Sequence, residues 1–256
     1  MHQENTNITY KQTSPVQELE DFIEIYWEHK NNTSEPNKLT IFPDSFFKLV
    51  IEISESKISN YFLTGIWTTE INVIVPPKTT IVGIKFKVLA PEYILQKSVA
   101  EVLQSRKILD LEYFSMNQVT VNEFENMAEQ LNDIFKARLQ NIDSIDPKKL
   151  YLSRLLYERR GNVTAEEVAL ETNWKNRQIS RYLNKYLGVS LKKYLNIQKV
   201  YASYIQIREG DFFPEEGFYD QSHFIREIKK HTNHTPRKLY EKKDDRFVQL
   251  KNIKKK

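Results

Sequence analysis

The sequence predicts an α+β fold in which a β-rich N-terminal domain precedes an all-α C-terminal domain. Short apolar runs separated by turn-type residues occupy roughly the first 110 residues, whereas helical spacing of apolar residues governs the second half. The charge divides at the same place. Residues 148–256 hold 25 Lys and Arg against 13 Asp and Glu, a net charge of +12, while residues 1–147 hold 13 against 21, a net charge of −8. This asymmetry indicates that the C-terminal domain meets a polyanion and that the N-terminal domain does not.

The N-terminal domain is predicted over residues 1–140, with helices flanking its strands. Runs rich in β-branched and aromatic residues predict strands at 22–29, 38–42, 47–53, 60–67, 71–75 and 79–88. Apolar and polar residues alternate within 47–53 and 82–87, so one face of each strand is expected to be buried. The pattern favours either an antiparallel sheet or a small barrel.

Aromatic residues recur on these predicted strands and allow two interpretations. They could line a small-molecule pocket, or they could form the core of the domain, which is the more common place for aromatic residues on strands. The candidates for a pocket are Trp27, Phe46, Tyr61, Trp67 and Phe86.

A helix is predicted over Val121–Leu139, because apolar residues recur there at helical spacing. Its apolar stripe could pack on the N-terminal domain or on the same helix of a second copy in a homodimer. Residues 141–147 read as a polar linker, and Pro147 suits the first turn of the next helix. The basic domain is therefore predicted over 148–245, followed by a basic tail over 246–256.

The basic domain contains an internal repeat at an offset of 45 residues. Gly188 aligns with Asn233, and both residue types can adopt the left-handed conformation that ends a helix. Ser190 aligns with Thr235, and both can cap the start of a new helix. The repeat predicts two copies of one helical unit.

The first copy has the pattern of a helix-turn-helix. Val163–Glu171 is predicted as one helix, Asn173-Trp174 as a turn, and Asn176–Leu187 as a second helix. Apolar residues share one face of the second helix, which leaves Arg177, Ser180, Arg181 and Asn184 outward. Outward arginines and amides are the residue types that read base edges, since Arg can donate two hydrogen bonds to guanine. The alternative is an ordinary amphipathic helix with a solvated polar face.

The second copy carries a more specific pattern. It contains Gly217-Phe218, Asp220-Gln221-Ser222-His223-Phe224, Ile228-Lys229-Lys230, Thr235-Pro236 and Tyr240. With these residues the segment 148–245 resembles the DNA-binding domain of the AraC-type (AraC/XylS) transcription regulators, which has two helix-turn-helix units joined by a long helix. The resemblance implies a C-terminal tandem helix-turn-helix domain that inserts helices around 176–187 and 220–231 into adjacent major grooves of double-stranded DNA.

The resemblance also implies which residues contact DNA. The base-contacting positions fall on Arg177, Ser180, Arg181, Gln221, Ser222, Ile225 and Arg226. Phosphate contacts are expected near two helix N-termini, where free N–H groups and the helix dipole favour an anion. They fall on Ser190, Lys192, Lys193, Thr235, Arg237 and Lys238.

The second unit departs from the family in one respect. Family members have a supporting helix with an Ile-Ala pair before the Gly-Phe pair, but here only Asp211–Glu216 separate Gly210 from Gly217. Pro214 further disfavours a helix in so short a segment. We therefore expect the second recognition helix to have less apolar support than the first and to contribute less to binding.

Other function classes find little support in the sequence. Neither G-x-S-x-G nor H-E-x-x-H occurs, and the six glycines form no phosphate-binding loop. We therefore predict no enzyme, no catalytic residues and no cofactor. His231 and His234 straddle the predicted helix end without a third ligand, so no metal site is expected.

The composition bears on the compartment and the partners. The chain has no cysteine, no signal peptide and no apolar run long enough for a membrane span, which predicts a cytoplasmic protein with no membrane contact. With Phe42-Pro43-Asp44, Gly65 and Gly83-Ile84-Lys85-Phe86, the β-rich domain more weakly resembles uncharacterised domains that precede this DNA-binding domain in some bacterial regulators. The resemblance implies that the domain senses a small-molecule effector or dimerises. The alternative is a regulator that needs no ligand and acts by homodimerisation or by contacting RNA polymerase. The Lys251–Lys256 tail is expected to be a solubilising end or to add nonspecific phosphate contacts.

Overall fold

In the computed structural model, which describes residues 7–213 and 217–241, the chain divides into two units. The first unit comprises the described residues of Met1–Asn37, Phe46–Gly65 and Ile74–Asp146. The second comprises the described residues of Pro147–Lys256 together with two short segments, Lys38–Ser45 and Ile66–Val73. We call these two segments the β-arm. The antiparallel sheet and the helical region confirm the predicted α+β class.

Six strands form the antiparallel sheet of the first unit. They are β1 (Ile8–Thr13), β2 (Ile23–Asn31), β4 (Phe47–Ser54), β5 (Lys57–Thr64), β7 (Thr79–Phe86) and β8 (Arg106–Ile108), in the order β1-β2-β7-β4-β5-β8. The remaining strands, β3 (Asn37–Ile41) and β6 (Ile71–Val75), form a separate two-stranded sheet that falls largely in the β-arm. Of the two predicted arrangements, the structure has the open sheet and not a barrel.

The predicted strand over 60–67 was wrong at its C-terminal end, because β5 stops at Thr64. A Cβ atom on Gly65 would lie 2.0 Å from the Val102 carbonyl oxygen, so only glycine allows the chain to pass here. Ile66 and Trp67 follow as part of the β-arm. The edge strands β1 and β8 were not predicted.

One face of the sheet is covered by α2 (Phe124–Gln140). The Phe135 ring meets Phe86 and Phe114 edge to face, each at 5.4 Å between ring centroids. Asn132 is buried and accepts hydrogen bonds from the Tyr26 hydroxyl and the Val16 amide. The apolar stripe of the predicted helix thus packs on its own unit, which answers the question left open between this packing and a dimer contact. Short helices complete the unit, namely α1 (Ala90–Tyr93) and 3₁₀ helices at Gln17–Leu19, Ala100–Val102 and Tyr113–Gln118.

The helices of the second unit follow the predicted order. They are α3 (Pro147–Arg159), α4 (Ala165–Glu171), α5 (Asn176–Leu187), α6 (Leu191–Glu209), α7 (Gln221–Thr232) and α8 (Pro236–Glu241). The long helix α6 contacts α4, α5, α7 and α8, so it is the common support of the unit. Within the described part of the chain, no helix combines the length and the apolar character that crossing a bilayer requires.

Candidate nucleic-acid interface

The first helix-turn-helix consists of α4, a turn and α5. Thr164 caps α4, since its side chain accepts a hydrogen bond from the Glu167 amide while the Glu167 carboxylate accepts one from the Thr164 amide. At the turn Asn173 has a φ of 49°, and the Trp174 amide donates to the Ala169 carbonyl. Val168 is fully buried on the inner side of α4. A local helix therefore supports the next one, as the sequence predicts.

Helix α5 buries one face and exposes the other. Ile179, Tyr182, Leu183 and Leu187 are buried. Arg177, Arg181 and Asn184 are exposed on the other side, and Ser180 is half-buried with its hydroxyl 3.4 Å from the Asn176 side-chain oxygen. The predicted base-contacting residues of this unit thus share one polar face, free of the core.

Helix α7 has the same division of faces. Asp220 caps its start by accepting a hydrogen bond from the His223 amide at 2.6 Å. Phe224 and Ile228 are fully buried, whereas Gln221, Ser222 and Arg226 are exposed. Ile225 differs from the other candidates, because its side chain is half-buried and packs against the core of the unit.

The ends of the two helices confirm the repeat. Gly188 at the end of α5 and Asn233 at the end of α7 both have left-handed conformations, with φ of 75° and 56°. The Ser190 hydroxyl then accepts a hydrogen bond from the Lys193 amide at the start of α6, and the Thr235 hydroxyl accepts one from the Lys238 amide at the start of α8. Equivalent sequence positions thus perform the same structural task in both copies.

The candidate phosphate-contacting residues lie at these two helix starts. Lys192, Lys193, Arg237 and Lys238 are exposed, while Ser190 and Thr235 are half-buried. Arg237 is also engaged by the Glu241 carboxylate at 3.1 Å, a pair that is exposed on both sides and therefore weak.

A basic cavity of about 310 Å³ adjoins the start of α6. Its lining contains three lysines and several hydroxyl and amide groups, from Thr68, Thr69, Ser190, Lys192, Lys193, Asn196, Lys230 and His231. Burial lowers the pKa of His231, and its hydrogen bond to the Thr68 carbonyl and the charge of Glu227 oppose that shift in part. Sequence reasoning did not identify Thr68, Thr69, Asn196 or Lys230 as members of a site, because they come together only in the folded unit.

The structure gives α7 an apolar support, and the expectation that this support is less than that of α5 stays a prediction. Phe224 and Ile228 pack in a cluster of fully buried or nearly fully buried residues that also contains Phe42, Val200, Tyr204, Ile207 and Leu239. The described residues 211–213 and 217–220 contain no helix, as the short segment predicts, and Pro214 lies outside the described residues. The support comes instead from α6, α8 and the β-arm.

The candidate pocket residues of the β-rich region do not all lie on one face of the sheet. Trp67 belongs to the second unit and the other four belong to the first. By strand register, Tyr61 and Phe86 lie on the same face of the sheet as Tyr26, which is the face that α2 covers. Trp27 lies on the opposite face, where its indole covers Gly83. Phe46, Tyr61 and Phe86 are buried, and Trp27 and Trp67 are half-buried.

Comparisons with known proteins give a family model over part of the N-terminal half and several similar solved structures. Residues 11–107 match the model of a domain of unknown function, DUF6597, in the region where the sequence indicates an uncharacterised β-rich domain. No curated protein matches the chain.

Structures of ToxT from Vibrio cholerae are among the solved structures that this chain is similar to. One is 14% identical and covers 91% of this chain and 97% of that chain, with a TM-score of 0.42. A second, bound to (E)-4-(8-methylnaphthalen-1-yl)but-3-enoic acid, is 14% identical and covers 95% and 98%, again with a TM-score of 0.42. A third, with an unsaturated fatty acid bound, is 13% identical and covers 94% and 97%, with a TM-score of 0.42.

Proposed function

We propose that this protein is a sequence-specific DNA-binding transcription regulator of the AraC type. The observation that carries the proposal is the pair of matched helices α5 and α7. Each is 12 residues long, buries one apolar face, ends in a left-handed residue and exposes arginine with amide or hydroxyl side chains on the other face. These are the side chains that distinguish base pairs in the major groove.

The electrostatics of the second unit support the same function. The segment 148–256 has a net charge of +12, and Lys192 and Lys193 are exposed at the capped start of α6. Lysines beside a helix N-terminus attract phosphate without regard to sequence, whereas arginines on the recognition helices add sequence preference. Both kinds of group are present on one unit.

Binding of the full chain to duplex DNA under increasing salt tests the proposal. The probes are the DNA upstream of the protein's own coding sequence and duplexes selected from a random pool. If the protein neutralises about 6 to 10 phosphates, its affinity falls by about 10³ to 10⁵ between 50 and 200 mM salt. Salt-insensitive binding, or no binding to any duplex, would sink the proposal.

This function has two versions. In one, a small-molecule effector controls the protein. In the other, the protein acts without a ligand, through a homodimer or through RNA polymerase. Thermal unfolding of the full chain against a panel of metabolites separates them, because a ligand that binds only the folded chain raises the melting temperature further as its concentration increases above its Kd. A shift that follows ligand concentration supports the effector version. No shift across the panel, together with a change of oligomeric state on operator DNA, supports the ligand-independent version.

A further inference from the structure

The second helix-turn-helix has no first helix of its own among the described residues. Helix α6 ends at Gly210, and the described parts of the segment before Asp220 are not helical. In the first helix-turn-helix, α4 performs the supporting task, with Val168 fully buried. Some other part of the molecule must hold α7 if its polar face is to be presented in a fixed orientation.

Phe42 of the β-arm lies in the apolar cluster on which α7 packs. Its ring is fully buried in the cluster formed by α6, α7 and α8, and its centroid lies 5.6 Å from that of Tyr204. Phe224 and Ile228 of α7 belong to the same cluster. Phe218 also meets Phe224 edge to face at 5.1 Å and packs against this cluster, so the apolar face of α7 is covered.

The β-arm also holds the C-terminal end of α7 by polar contacts. The His231 Nδ1 atom lies 2.6 Å from the Thr68 carbonyl oxygen, and this contact is buried. A carbonyl can only accept, so Nδ1 carries the hydrogen and donates. One residue beyond the helix, the Asn233 amide donates to the Glu70 carboxylate at 3.2 Å. The buried hydrogen bond between His231 and Thr68 fixes the helix end, because breaking it leaves an unsatisfied group.

We propose that the β-arm replaces the missing supporting helix of the second helix-turn-helix, and that Phe42 is a positioning residue for base reading by α7. The inference rests on the proposed function for its DNA part only. Phe42 contacts no base. It acts by keeping Gln221 and Arg226 on a helix that is already ordered before DNA arrives, so that little ordering free energy opposes binding.

The test is hydrogen exchange in the full chain, comparing amides of residues 221–232 with those of 176–187. We expect Phe42→Ala to raise exchange in α7 by about 10²-fold or more, as loss of a buried aromatic ring implies, and to leave α5 nearly unchanged. Phe42→Leu keeps most of the buried apolar volume and should restore protection of α7. Val168→Ala is the matched control, because it should raise exchange in the first helix-turn-helix and leave α7 unchanged.

The same variants are then footprinted on selected DNA. Phe42→Ala should lose protection and base preference in the groove that α7 reads and keep them in the groove that α5 reads. Unchanged exchange in α7, or an equal rise in α5 and α7 for both Phe42 variants, would overturn the inference. If the wild-type chain binds no DNA, the proposed function fails, and the exchange data still decide whether the β-arm supports α7.

Discussion

The two helix-turn-helix units present similar recognition helices but stabilise them by different means. In the first, α5 rests on α4, which precedes it directly in the chain. In the second, α7 packs in the apolar cluster that contains Phe42, and its His231 is hydrogen-bonded to Thr68, 163 positions away in the sequence. A reading helix thus needs an apolar partner of suitable shape, and a neighbouring helix is only one way to supply it.

The largest effect expected from this comparison is on the recognition of base pairs. If the β-arm supports α7 as well as α4 supports α5, Arg181→Ala and Arg226→Ala should each cost about 1 to 3 kcal/mol on the preferred DNA, each at a different base pair. Affinities for the preferred duplex and for single-base variants of it measure both effects.

Lys193→Ala provides the control for this measurement. An exposed lysine that contacts phosphate weakens binding to all sequences about equally, so base preferences should be unchanged. A large loss of affinity for Arg181→Ala with none for Arg226→Ala would show that the second helix-turn-helix does not read base pairs, although its helix is supported.

A smaller difference is expected at the helix ends. Gly188 has a φ of 75°, a conformation in which a residue with a Cβ atom is strained, so Gly188→Ala should lower the free energy of unfolding by about 1 to 2 kcal/mol. Asn233→Gly keeps the left-handed conformation available and removes only an exposed side-chain contact, so it should change stability by a few tenths of a kcal/mol. Denaturant unfolding of the two variants checks this, and equal losses would contradict it.

The smallest expected effect is on how stability depends on pH. It distinguishes the two helix-turn-helix units, because residues 147–210, which include the first of them, contain no histidine. Burial holds the pKa of His231 below its ordinary value of 6.5, in a setting where Glu227 favours the charged form and Lys230 and Lys193 oppose it. The unfolded chain therefore binds the proton more readily. The contribution of neutral His231 to the stability of the second helix-turn-helix is therefore complete above about pH 6.5 and is lost as the pH falls through and below that value.

Thermal unfolding between pH 7.5 and pH 5.5 measures this effect against His231→Asn. Asparagine keeps an N–H group that can donate to the Thr68 carbonyl but has no titration in this range. The variant should lose less stability on acidification than the wild type. The same acid dependence in both proteins would assign it to other groups.

The sequence predicts those features that depend on neighbouring residues. Strand and helix positions follow from apolar spacing, and the ends of α5 and α7 follow from Gly188 and Asn233 because a left-handed residue is a local requirement. The short edge strand β8 was missed, since all three of its residues are exposed and carry no alternating pattern.

The β-arm was beyond such reasoning. Phe42 and Pro43 look like the end of a strand followed by a turn, and nothing in the local pattern distinguishes this strand from the others. The partners of Phe42 lie on α6, α7 and α8, at sequence distances for which spacing rules give no information. The exposed arginines were found from local pattern, whereas the residues that hold their helix in place were not.

The β-arm also has a consequence for the order in which the protein is made. Lys38–Ser45 and Ile66–Val73 leave the ribosome well before residues 200–239, yet their partners lie there, on α6, α7 and α8. Until then Phe42 has no permanent partner, and the long loop that joins it to α7 must close against its own entropy. The first helix-turn-helix can form while synthesis continues, but the second is completed only near the end of the chain. Nascent chains that stop before α6 should therefore carry an exposed apolar arm, the kind of surface that chaperones bind.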